Sequence, residues 1–207
     1  MKTIPLEYNH FYHIYNRGIN GCNLFQETEN YEYFLYLYDK YISPVADTFA
    51  WVLMRNHFHL LVRIKSVREL NLQGFENLEG LKGTNRNLAN QQFSNLFNAY
   101  TKAINKRFHR TGSLFEHSFR RIKVESGVHL KYLIYYIHHN PIHHGFCEHF
   151  LDYPWSSYVT MLSPKTTKLS RKEVLNWFND ESNFKKYHSL EQIEKYNKLK
   201  MDQLNDS

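Results

Sequence analysis

An α+β fold of the ferredoxin-like, split βαβ type is predicted by three observations in this 207-residue chain. Short β-branched and aromatic runs show the two-residue alternation of half-buried strands. Two longer stretches between them carry helical spacing. The order strand, helix, strand, strand, helix, strand then interleaves two βαβ halves into one antiparallel sheet, with helices covering one face. A further helix and a small C-terminal helical extension follow.

Phe11 to Tyr15 (FYHIY) has strand character, and Asn16-Arg17-Gly18 with Asn20-Gly21 mark a turn. Glu27 to Tyr41 fits a helix with a broad apolar stripe, which Pro44 ends. Thr48 to Met54 and His57 to Ile64 are strands joined by a tight link at Arg55-Asn56. Lys65 to Ala89 is glycine- and asparagine-rich, a loop with one helical turn near Val67 to Leu72. Asn90 to His109 places Phe93, Leu96, Phe97, Tyr100 and Ile104 on one helical face. Phe119 to Val124 (FRRIKV) is the fourth strand. Val128 to His139 is a helix that Pro141 must stop or kink. Leu151 to Tyr158 (LDYPWSSY) is turn-rich and expected to pack Trp155 onto the main domain. Leu162 to Thr167 resembles a linker, and short amphipathic helices are predicted over Ser170 to Asn179 and Ser189 to Lys200. This divides the chain into a main domain, 1–160, and a helical extension, 161–207.

The 26 Lys+Arg outnumber the 20 Asp+Glu to give a net charge of +6, which suits a polyanionic partner without requiring one. At 42% hydrophobic and 22% charged the chain is neither disordered nor a membrane protein. Its apolar runs fall far short of the roughly 20 residues that span a bilayer. Met1-Lys2-Thr3-Ile4-Pro5 lacks the apolar stretch of a secretory signal, so a cytoplasmic location is expected. Cys22 and Cys147 suit two reduced thiols. Thirteen histidines beside 16 Tyr and 15 Phe form a heavy load of rings, most of them core, some suited to stacking on exposed bases.

His57 and His59 lie two apart on a strand, so both imidazoles point the same way, within reach of one divalent cation. In a chain so rich in histidine this spacing also arises structurally, but Leu60, Leu61 and Val62 mark a core strand, where an uncompensated imidazole is poorly placed. Tyr136 and Asn140 lie at i and i+4 on one helix face. A phenol with a free pKa near 10 is a poor nucleophile until a metal or another group helps it. Packing explains a tyrosine here as readily, and Tyr132 and Tyr135 compete with it.

MRNHFHLLV (Met54 to Val62) resembles the histidine–hydrophobic–histidine motif of the HUH single-strand nucleases. Asn16-Arg17-Gly18, RFHRTGSLFEHSFR (Arg107 to Arg120), YLIYYIHHNPIHHGF (Tyr132 to Phe146) and YPWSSY (Tyr153 to Tyr158) resemble one branch of them, the REP-associated tyrosine transposases, relatives of the IS200/IS605 (Y1) transposases. The resemblance runs from Phe11 to Tyr158. It implies a ferredoxin-like HUH endonuclease domain that binds Mg²⁺ or Mn²⁺ and cuts single-stranded DNA beside a hairpin, leaving a 5′-phosphotyrosine and a free 3′-hydroxyl. By the resemblance, His57 and His59 are metal ligands. Tyr136 is the nucleophile, with Tyr135 the alternative if the helix register differs. Asn140 is the third ligand, one methylene shorter than the glutamine of insertion-sequence relatives.

Arg17, Lys102, Lys106, Arg107, Arg110, Arg120, Arg121 and Lys123 are candidate DNA contacts, each equally suited to a solvated surface. Arg120 and Arg121, adjacent on a strand, must face opposite ways, and Phe108 and Phe115 are candidates for base stacking or core. The expected protein is a nickase and strand transferase for hairpin-bearing, REP-type palindromes, acting as a monomer or loose homodimer. The alternatives are a domesticated hairpin-binding protein that cuts poorly and an RNA-binding protein of the same fold.

Overall fold

Side-chain alternation along the strands decides which groups meet above and below the sheet. The computed structural model describes residues 5–66, 68–70, 88–116 and 118–189. Strands β1 (Phe11–Arg17), β2 (Ala46–Met54), β3 (His57–Ile64) and β4 (Arg120–Val124) form one antiparallel sheet in the order β2-β3-β1-β4. Helix α1 (Thr28–Tyr41) joins β1 to β2, α2 (Leu88–Arg107) lies between β3 and β4, and α3 (Gly127–His143) follows β4. This is the expected split βαβ order. The glycine of Asn16-Arg17-Gly18 is explained by crowding: a Cβ on Gly18 would lie 1.9 Å from the Cys22 carbonyl oxygen.

Tyr12 and Ile14 of β1 share one face with Phe58, Leu60 and Val62 of β3. Phe34 and Leu37 of α1 and Phe93, Leu96, Phe97 and Tyr100 of α2 close over them. Burying each such ring is worth roughly 2–3 kcal/mol. Phe115 belongs to this core and Phe108 packs against it, so packing accounts for both.

Helices were expected on one face, and α1 and α2 cover that face. The opposite face is covered too. There Phe49, Val52, Met54 and Leu61 are fully buried beneath Leu133, Ile134 and Ile137 of α3. Strands β2 and β3 are apolar on both sides here, and such strands need cover on both. Nor does Pro141 end α3, which continues to His143. Proline removes only one late hydrogen bond, and the last turn closes through His144 N–H to Asn140 O and Phe146 N–H to Pro141 O, at 3.0 and 2.8 Å.

After α3 the chain crosses back to β2. Trp155 stacks on Tyr31 of α1 with ring centroids 4.5 Å apart, the packing expected of it. Three short helices follow, α4 (Tyr158–Leu162), α5 (Arg171–Trp177) and α6 (Glu181–Tyr187). The boundary expected at 160/161 falls inside α4, and α5 and α6 share one apolar cluster with α3 through Val174, Phe178 and Phe184. The helix expected over 189–200, beyond Ser189, and half of the loop turn near 67–72 lie outside the described residues. No described helix is long and apolar enough to cross a membrane.

Two buried histidines stitch this layer together. His138 of α3 hydrogen-bonds Ser157 Oγ through Nε2 at 2.7 Å and His188 Nε2 through Nδ1 at 3.0 Å. His188 Nδ1 donates to Phe184 O at 2.8 Å. Burial above all holds the His188 imidazole down to about 3. A folded-state value below the unfolded one means that protonation favours the unfolded chain. The stability from neutral His188 is therefore complete above about pH 6.5 and is lost as pH falls toward the folded value. Thermal melts should show the gap in Tm between wild type and His188→Phe narrowing from pH 7 to pH 4. A gap that stays constant or widens would contradict this account.

Candidate active site

β3 turns His57, His59 and Leu61 toward α3, and direct cross-strand pairing puts Tyr15 beside His59 and Arg17 beside His57. His59 is buried and His57 half-buried. His59 Nδ1 lies 2.9 Å from Nε2 of His13, itself buried on β1. His57 Nδ1 lies 2.7 Å from Asn56 Oδ1, an acceptor, which puts the proton on Nδ1 and leaves the Nε2 lone pair for another partner.

Helix α3 presents Tyr136 and Asn140 to this face. The Tyr136 ring stands edge-on to His59 and His13, at centroid distances of 5.5 and 6.1 Å. The buried Asn140 donates through Nδ2 to Tyr136 O at 2.9 Å, and its side chain lies near enough to His57 and the Tyr136 phenol to act on both. Tyr132 stacks on Tyr136 from the preceding turn. Tyr135 points the other way, into the layer of His139, Tyr187 and His188.

Burial lowers the His57 imidazole to about 4, with His144 adding to the effect and Asn140 opposing it. Burial likewise takes His13 to about 3 and His59 well below the ordinary range. It raises the Tyr136 phenol, against a smaller opposing pull from Asn140. At neutral pH the site therefore holds uncharged imidazoles and a protonated phenol. The neighbours acting electrostatically on these four groups are histidines, Arg17, Asn140 and Tyr15, with no carboxylate among them. Among the described residues, no group of three or more His, Cys, Asp and Glu is placed to hold a metal. A cation here would rest on His57, His59 and the Asn140 amide oxygen. Two neutral imidazoles, each with Nδ1 engaged elsewhere, fit such an ion, because that engagement orients a ligating ring.

Sequence reasoning missed His13, Tyr15 and His144. Tyr15 stacks on His59 and His13 at 5.6 and 4.8 Å, and His144 caps α3 with its ring 5.0 Å from His57. His13 and Tyr15 sit two apart in FYHIY, the same signal that singled out His57 and His59, but pairing β1 with β3 required the register.

The candidate DNA contacts do not share one surface. Arg17 and Arg120 lie on the face of the histidines, Arg120 paired in register with Tyr15. Arg121 and Lys123 face the other way, opposite Ile14 and Tyr12, so the adjacent pair divides as expected. Arg121 is half-buried over the Phe119 ring and hydrogen-bonded to Asn90, and burial lowers its guanidinium to about 10. Lys102 and Lys106 are exposed on α2, across the sheet from Tyr136. Arg17, Arg107 and Lys123 pair with Glu116, Glu27 and Glu7, and Arg110 contacts Asn105.

The solved structure of a REP-associated tyrosine transposase bound to a REP hairpin has a similar fold, with a TM-score of 0.58 over 79% of this chain and 86% of that chain. Sequence identity between the two is 12%, so the likeness is one of fold. No sequence-family profile matches the chain, and no curated protein matches it in sequence.

The opposite orientations of the two tyrosines have an energetic signature. Tyr135 is 3% exposed within a ring cluster, and Tyr135→Ala should cost about 3–5 kcal/mol in urea denaturation. The matched Tyr136→Ala, at a half-buried ring, should cost clearly less than Tyr135→Ala. Equal losses would mean that α3 is turned differently.

Proposed function

We propose that this protein is a metal-dependent endonuclease and strand transferase for single-stranded DNA, nicking beside hairpins of REP-type palindromes through a 5′-phosphotyrosine. The observation that carries the reading is Tyr136 standing edge-on to His59, with Asn140 bridging toward His57. The hairpin substrate is taken from the resemblance in sequence and from the likeness in fold to a transposase bound to a REP hairpin.

His57 and His59 would hold Mg²⁺ or Mn²⁺ through Nε2, and Asn140 through its amide oxygen. Such an ion supplies positive charge where cleavage builds negative charge on the non-bridging and leaving oxygens. Tyr136 Oη passes its proton to water and attacks phosphorus. The Oη–P bond forms as the P–O3′ bond breaks, and the departing 3′ oxygen takes up a proton. The phosphoester count is conserved, so a 3′-hydroxyl can attack the tyrosyl ester, rejoin DNA and release Tyr136. His13 holds the His59 ring in the ligating orientation. All of these groups come from one chain, so a monomer is a complete unit. Arg17 and Arg120, on the histidine face, are the cations best placed for the scissile strand.

Labelled single-stranded hairpin DNA from palindromes flanking the gene, incubated with Mn²⁺ and run on a denaturing gel, should give a covalent protein–DNA band. EDTA and Tyr136→Phe should each abolish it, while Tyr135→Phe and Tyr15→Phe should not. Tight hairpin binding with no adduct would replace this reading with that of a DNA-binding protein. Mn²⁺ affinity, read by electron paramagnetic resonance, should vanish in His57→Ala and His59→Ala. It should fall about 10- to 100-fold in His13→Leu, and an unchanged affinity there would remove His13 from the site.

A further inference from the structure

We infer that the C-terminal helices set the rotation of α3 through a one-directional hydrogen-bond chain from β2 to α6, making His188 a positioning residue for the reaction proposed above, on which this inference rests. With both imidazoles neutral, the chain permits one assignment of protons. Phe184 O can only accept, so His188 carries its proton on Nδ1 and accepts at Nε2. His138 must then donate through Nδ1 to His188 and accept at Nε2 from Ser157 Oγ–H. Ser157 Oγ in turn accepts from Trp51 N–H on β2 at 2.9 Å. Every donor finds an acceptor with both imidazoles neutral, the condition under which a buried polar network fixes a geometry.

Its placement suits it to position the site. His138 lies two residues beyond Tyr136, so the two side chains leave α3 on roughly opposite sides. Tyr136 and Asn140 face the histidines of the sheet, and His138 faces Ser157 and α6. Phe184 packs 4.2 Å from the His188 ring, and Tyr158 closes over both imidazoles. A rotation of α3 by about 10° would carry the phenol tip, about 9 Å from the helix axis, through about 1.5 Å. The apolar contacts around α3 resist such a rotation by close packing, and a hydrogen-bond chain anchored on the backbone of β2 and of α6 adds resistance by direction.

Two measurements on the full chain test this. Histidine ¹⁵N spectra of the wild type should show His138 and His188 neutral and protonated on Nδ1; an Nε2 proton on either overturns the chain. The second compares His188→Phe, which keeps a ring without the acceptor, with His188→Gln, whose amide oxygen can accept from His138. At saturating hairpin and Mn²⁺, His188→Phe should bind the hairpin as wild type does while adduct formation slows about 10- to 100-fold, and Gln should restore most of the rate. A wild-type rate in the Phe variant, loss of binding in parallel with rate, or a Gln variant no better than Phe would each overturn the positioning role. If the wild type forms no adduct, the nuclease reading fails by itself. The inference is then read from the His57 and His59 ring resonances, displaced in His188→Phe and recovered in His188→Gln; resonances unmoved by Phe overturn it.

Discussion

Where α3 crosses β1 and β3, the hydrogen bond between His13 and His59 is shut away from water, and much of the molecule is arranged around that closure. An exposed imidazole pair would share its lone pairs with protons near neutrality. Under α3 the charged form is too costly, and His13, His57 and His59 stay neutral far below their ordinary range. The cover itself depends on the sheet being apolar on both faces, since Leu61 and Val52 on the histidine side give α3 something to pack on. A ferredoxin-like sheet with one wet face would leave the same two histidines solvated and unoriented.

The burial that suits the imidazoles opposes the phenol. Tyr136 is raised by desolvation, so in the resting protein it holds its proton. On the proposed reading, a nucleophile in that state would wait for a positive charge. The C-terminal end of α3, with its partial negative charge, lies against His57 through His144. On that reading, neutral imidazoles beside a helix C-terminus would favour a divalent ion, and such an ion would bring the phenol back toward ionisation.

Much of this was legible in the sequence because it depends on local periodicity. The strand HFHLLVRI is bounded at His57 and Ile64 as expected, and the two-residue period alone puts His57 and His59 on one side. The four-residue step from Tyr136 to Asn140 survives in α3. What local pattern cannot express is register and layer. His13 joins the site only because β1 pairs antiparallel with β3, and Leu61 reads as core without saying which helix covers it. Pro141 misled for a related reason: its cost is fixed, but how little helix follows it, and how the last turn closes, is set by the fold. His138, Ser157 and His188 lie far apart in sequence and carry no joint signature, so only tertiary contact reveals them.

The basic residues show how far composition can mislead. A net charge of +6 suggests a continuous positive track, yet the eight cations singled out are divided by the sheet. Arg121 is committed to Phe119 and Asn90, and Lys123 and Arg107 to carboxylates on or beside α1 and β1. Exposed ion pairs of this kind contribute little, so phosphate can compete for their cations, but each exchange returns less than a free cation would. Arg17 and Arg120 share the face of Tyr136, whereas Lys102 and Lys106 stand behind α2, a full sheet away. A strand reaching Tyr136 therefore meets few positive charges at the reacting phosphate. On the proposed reading, charge density would draw the polyanion to the protein, and the arrangement of neutral rings and amides on one sheet face would decide where it reacts.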